Sequence, residues 1–173
     1  LVEYGYQVDC SVTPHVNWAF SPGNPDGQGG TDYRHFPREA YFMDAEDISR
    51  PGKSSLLEVP MSIHLKHSPL MNGLKQGYDA LRGKKRSPSA LWLRPSGGNL
   101  ERMKQVAAKS LSQGHDYVEF MLHSSEFMPG GSPTFKNEQD IEGLYRDVEQ
   151  LFSWLSERTV GLTLAEYYQR KVN

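Results

Sequence analysis

Apolar and polar positions alternate along Tyr6-Gln7-Val8-Asp9-Cys10-Ser11-Val12 with the two-residue period of a half-buried strand, and Thr13-Pro14 stops it. A second strand is predicted at Leu56-Leu57-Glu58-Val59-Pro60-Met61-Ser62-Ile63, where Pro60 marks an edge or a bulge. Ala90-Leu91-Trp92-Leu93-Arg94-Pro95 reads as a third. The run Tyr117-Val118-Glu119-Phe120-Met121-Leu122-His123 carries a β-branched residue and two aromatics, and reads as a buried fourth strand. Elsewhere the period becomes helical. Asn99 caps a helix with Leu100, Met103, Val106, Ala107 and Leu111 on one face, ended by Gly114. A longer helix from about Glu138 places Ile141, Leu144, Tyr145, Val148, Leu151, Phe152 and Leu155 on its buried side. A weak helix near Leu74–Leu81 and a last one around Leu164–Arg170, after Val160-Gly161-Leu162-Thr163, complete the pattern.

Strand, loop and helix in succession are the rhythm of parallel β/α units, so the predicted class is α/β. About four strands are visible, and a closed β/α barrel takes roughly 250 residues. The 173 residues therefore fit one unit, residues 1–173, corresponding to the carboxyl-terminal part of such a barrel. Leu1-Val2-Glu3-Tyr4-Gly5 reads as the last turn of a helix closed by glycine, which suggests a piece of a longer protein cut inside that helix. Residues 13 to about 54 hold most of the turn chemistry. Their aromatics, Trp18, Phe20, Tyr33, Phe36, Tyr41 and Phe42, argue for an ordered loop excursion rather than disorder.

Composition narrows the functional classes. Nineteen Lys and Arg stand against 21 Asp and Glu, which leaves no electrostatic footprint for nucleic acid. No apolar run approaches the roughly 20 residues of a membrane span. The single cysteine, Cys10, forbids an internal disulfide and reads as a buried, inert thiol. The basic run Arg82-Gly83-Lys84-Lys85-Arg86 reads as a solvated turn.

Candidate chemistry begins with His123. A histidine at the carboxyl end of a buried strand, followed by Ser124, Ser125, Glu126 and the loop Met128-Pro129-Gly130-Gly131-Ser132-Pro133, stands where α/β enzymes put catalytic groups. The alternative is a histidine that only bonds to the loop below it. Asp9 and Arg94, at the first and third strands, are candidates for the same mouth, or else a turn acid and a surface ion pair. A carboxylate near an imidazole keeps it protonated as a general acid, and an arginine can hold a sugar hydroxyl or carboxylate. His64 and His67 have a spacing that helical zinc ligands use, but they follow a strand without a third ligand and read as exposed loop histidines. Asn24-Pro25-Asp26-Gly27-Gln28-Gly29 resembles the opening of a calcium loop, with His35 where a bidentate glutamate belongs. No Walker loop, dinucleotide fingerprint or nucleophile elbow is present.

Three blocks, Gly5-Tyr6-Gln7-Val8-Asp9-Cys10-Ser11-Val12-Thr13-Pro14, Leu57-Glu58-Val59-Pro60 and Leu122-His123-Ser124-Ser125-Glu126, resemble successive blocks of polysaccharide deacetylases. These are the NodB-homology carbohydrate esterases, and the likeness is to their bacterial cell-surface-polysaccharide branch. The tail from Met128 through the long helix to Thr163-Leu164-Ala165-Glu166 is similar to that branch as well. The resemblance implies a distorted β/α barrel. It also implies removal of acetyl groups from N-acetylated sugars with a divalent metal, commonly zinc, held by one aspartate and two histidines. His123 then corresponds to the general acid, Leu122 to the apolar residue lining the acetyl pocket, and Asp9 to the acid that tunes the histidine. Arg94 matches no block. The aspartate pair, the two-histidine metal block and the arginine block of the family are not in this sequence. They are expected upstream of Leu1, in an amino-terminal half of the same protein. The chain alone is thus expected to bind no catalytic metal and to be inactive.

Two functions follow. One is the deacetylase acting on an N-acetylated polysaccharide or sugar intermediate, with this chain as its acid-bearing part. The other is a non-catalytic carbohydrate-binding or scaffolding module in which the excursion, Trp18 included, contacts sugar. The compartment, cytoplasm or cell envelope, stays open.

Overall fold

A computed structural model describes residues 1–19, 29–82 and 89–173, which form a mixed α/β fold with small sheets and four α-helices. The chain divides into two compact units, Leu1–Leu91 and Trp92–Asn173. Most of the calcium-like loop and the basic run after Arg82 lie outside the described residues.

The first unit opens with a short 3-10 turn, Val2–Tyr4, closed by Gly5 at φ 77, as the glycine predicts. Strand β1 (Val8–Asp9) runs parallel to β3 (Leu57–Glu58), with Val8 opposite Leu57. Strand β2 (Tyr41–Phe42) covers the other edge of β3 in antiparallel register, Tyr41 opposite Glu58. β4 (Ile63–Leu65) pairs with β5 (Ala90–Trp92) in a separate two-stranded sheet. The apolar side chains of Val12, Leu57, Val59, Met61 and Ile63 are buried, and Tyr41, Met43 and Leu56 form a cluster of their own.

β1 is shorter than its alternation predicts. Asp9 Oδ1 accepts the Cys10 N–H at 2.9 Å and the Ser11 hydroxyl at 2.7 Å, local bonds that compete with a ladder. The Val12 N–H turns instead to Glu58 Oε1 at 2.9 Å. Cys10 consequently sits past the strand end and is half-buried rather than buried. The predicted second strand breaks into β3 and β4 around Pro60, which has no N–H for a ladder. His64, expected on an exposed loop, is buried on β4, and only His67 lies beyond the strand. Helix α1 (Pro69–Leu81) starts earlier than Leu74, because Ser68 Oγ accepts the Met71 N–H and proline is tolerated in a first turn.

In the second unit α2 (Leu100–Ser112) packs against α3 (Glu138–Ser156). Met103, Val106 and Ala107 of α2 are buried, and Gly114 at φ 85 follows the helix end, as its sequence predicts. α3 buries Ile141, Leu144, Leu151 and Leu155, each worth roughly 1.5–3 kcal/mol. Tyr145 and Phe152, expected on that face, are half-exposed at its margin, where they meet Phe127 and Phe120 instead of the core. Thr163 and Glu166 cap α4 (Leu164–Val172) reciprocally, the threonine accepting the Glu166 N–H and the glutamate accepting the Thr163 N–H at 2.7 Å.

Tyr117–His123 does not form the predicted strand. Met121 N–H reaches Leu93 O at 3.3 Å, a long bond that does not make a ladder; residues 117–122 are half-buried and His123 is exposed. The described residues form no closed barrel; what stands is the mixed α/β class. No helix among them is long and apolar enough to cross a membrane.

Candidate functional site

The sequence Leu122-His123-Ser124-Ser125-Glu126 places an apolar anchor, a histidine and a carboxylate within one turn. Leu122 packs against the cluster of Phe135, Ile141 and Leu144. The chain then enters a 3-10 turn, Ser124–Phe127, with His123 at its head in extended backbone. Glu126 is only 3% exposed. Its Oε2 accepts the His123 N–H at 2.9 Å, and its own N–H donates to the His123 carbonyl at 2.9 Å. Its Oε1 accepts from Arg94 Nη2 at 3.0 Å. Such a carboxylate needs a charge partner, because burying an isolated anion costs several kcal/mol.

Arg94, a candidate sugar-binding residue, therefore has one arm committed to Glu126 inside the protein. Its carbonyl accepts from Asn99 Nδ2 at 2.9 Å, and Asn99 Oδ1 accepts the Ser96 N–H at 2.8 Å. Asn99 thus braces the Arg94 loop instead of giving its side chain to the helix end. Beyond the turn, the backbone of Gly131 passes so close to the Ser125 carbonyl that a β-carbon would collide with it. Gly130, at φ 75, donates to the Phe135 carbonyl at 2.9 Å. The two glycines fold the loop back against the turn that follows His123.

Asp9 and Trp18 belong to the first unit. Asp9 holds the turn after β1 through its bonds to Cys10 and Ser11. Its charge, after burial and the charge of Glu58, helps push the Tyr41 hydroxyl far above its ordinary range. That hydroxyl donates to the Ile48 carbonyl at 2.7 Å. Trp18 Nε1 donates to Thr13 Oγ1 at 2.8 Å, and its backbone pairs with Thr31 and Gly30, so the excursion is ordered there. His15, buried at φ 70, is a strained position that no sequence signal marks. Among the described residues no three His, Cys, Asp or Glu side chains converge on a point that would hold a metal ion.

No protein-family model, curated protein or solved structure matches the chain.

The second unit also holds a half-open cavity of about 750 Å³, lined by Tyr117, Phe120, Phe152, Leu162, Tyr167 and their neighbours, with His123 and Arg94 not among them. At its border Asp116 accepts from the Tyr167 hydroxyl at 3.0 Å and pairs with Lys171 at 2.7 Å, tying α4 to the turn before Tyr117. Partial burial works to raise the Asp116 carboxyl, but the bonds from Lys171 and Tyr167 outweigh it and hold the pKa below the usual value. A depressed carboxyl stabilises the native state above the ordinary pKa of about 3.9 and loses that contribution as pH falls through the lower native value. Asp116→Asn is expected to lower stability by about 1 kcal/mol or less at neutral pH, since the carboxylate is largely exposed. Urea titrations at pH 7 and at acid pH check this, with the difference between the two proteins shrinking as the pH falls.

Proposed function

We propose that this chain is the acid-bearing, carboxyl-terminal part of a metal-dependent polysaccharide deacetylase with a NodB-like β/α fold. The observation that carries the reading is the setting of His123: a histidine at the head of a turn, with Leu122 anchored in the core, its N–H given to the buried Glu126 carboxylate and its carbonyl accepting the Glu126 N–H. The order of the three sequence blocks and the parallel pairing of β1 with β3 support it further. In amide hydrolysis water adds oxygen to the acyl carbon, the carbon–nitrogen bond breaks, and the departing amine takes a proton. His123, as the general acid, supplies that proton, and the products are acetate and a free amino sugar. The base and the divalent metal belong to blocks that this sequence lacks.

The test is acetate release from an N-acetylated polysaccharide. The native polypeptide containing this chain is expected to release acetate and to stop when a chelator removes its metal, whereas residues 1–173 alone release none. Release that continues unchanged through chelation would sink the metal-dependent reading. The cavity of the second unit, walled by tyrosine and phenylalanine, favours one other reading, a carbohydrate-binding module. Saturable sugar binding without acetate release by the native polypeptide would select it.

A further inference from the structure

We infer that Glu126 is a positioning residue for His123, and that Arg94 in turn positions Glu126. The inference rests on the reading of His123 as a general acid, and the geometry carries it beyond that reading. Both peptide groups flanking the His123 α-carbon are bonded to one residue: its N–H to Glu126 Oε2 and its C=O to the Glu126 N–H, each at 2.9 Å. With φ −86 and ψ 144 fixed in this way, the direction of the α–β bond is fixed too, and only the side-chain torsions of the ring remain. Leu122, seated against Phe135 and Leu144, fixes the residue before.

A four-residue turn does not need such a device for its own stability. A serine, threonine or asparagine would cap it without burying a charge. Here a nearly fully buried carboxylate is paired with a guanidinium, and that guanidinium's own loop is tied down through Asn99. The chain of contacts Asn99, Arg94, Glu126, His123 runs from the start of α2 to the candidate acid. Placement of an acid within a few tenths of an ångström matters most in the transition state, so the arrangement should act on kcat.

The experiment measures kcat and KM per folded molecule for acetate release by the native polypeptide. Its variants are Glu126→Gln, Glu126→Asp, Arg94→Lys and His123→Ala, with Glu126→Gln also made in the His123→Ala background. Glu126→Gln is expected to lower kcat roughly 10- to 100-fold with KM little changed, and to cause no further loss once His123 is alanine. Glu126→Asp keeps the charge but is one methylene too short for both partners; it and Arg94→Lys should each lose part of kcat, and serve if Glu126→Gln does not fold. Full kcat in all three single variants, beside a slowed His123→Ala, would overturn the positioning role and leave the acid standing. An equal loss from Glu126→Gln in both backgrounds would show a purely structural contribution and overturn it as well. An unslowed His123→Ala would remove the acid reading and this inference with it.

Discussion

Replacing His123 by alanine is expected to lower kcat of the native polypeptide roughly 10²- to 10⁴-fold while KM stays nearly constant, a loss of about 3–5 kcal/mol of transition-state stabilisation. The amine of an amide is a poor leaving group until it is protonated, and proton delivery develops in the transition state with little effect on ground-state binding. Folding should be nearly untouched. The N–H and C=O of residue 123 both bond to Glu126, and alanine keeps these, losing only the ring's part in the capping box. A histidine that served only the loop would behave in the opposite way, with folded yield falling and the kcat of folded molecules preserved. Steady-state kinetics normalised to folded protein separates the two, and an unaltered kcat takes His123 out of the mechanism.

Phe135→Ala is expected to destabilise the second unit by about 3–5 kcal/mol. The ring is 1% exposed and packs with Ile141 and Leu144, with Leu122 and Val148 against the same cluster. In a unit of this size such a loss corresponds to a fall of more than about 10 °C in the unfolding midpoint. Tyr145→Ala, half-exposed on α3, serves as the control and should cost about 1 kcal/mol or less. Calorimetric unfolding of the two variants checks the contrast. Equal and small shifts would mean that the loop after the turn is not packed on α3. Because Leu122 shares the cluster, the cavity left by Phe135 opens beside the residue that precedes the candidate acid.

The helices were legible because their signals are local. Asn99, Gly114 and the spacing of Met103, Val106 and Ala107 mark α2 without reference to anything distant. The strands were less so. Asp9 ends β1 through bonds to its own neighbours, and the alternation running on to Val12 cannot reveal that Glu58, far along the chain, takes the Val12 N–H. β2 has only two residues inside a loop-like excursion, too few for any period to register. On α3 the apolar stripe was read too wide: periodicity gives the direction of Tyr145 and Phe152 but not where the covering layer stops. Of the candidate site, His123 is marked by its place at the end of an apolar run, and Leu122 by the resemblance alone. Glu126 was missed, although a glutamate three residues after a turn-opening residue is the spacing of a capping box. Its partner Arg94 stands 32 residues away, a pairing no local pattern encodes.

The parallel pairing of β1 with β3 has a kinetic meaning. Val8 meets Leu57 only after about 50 residues of chain have been gathered between them, whereas β2 and β3 lie much nearer in sequence. Closing the larger loop first would forfeit more chain entropy for the same two-residue contact. The antiparallel β2–β3 pair is therefore the natural nucleus of the first unit, and β1 docks on it late, in the slow manner of long-range parallel pairing. Glu58 can receive the Val12 N–H only once β1 has arrived, so burial of that carboxylate oxygen is expected to accompany the docking of β1. Dehydration of one glutamate and arrival of the strand bearing Asp9 thus become a single event on the folding path of the first unit.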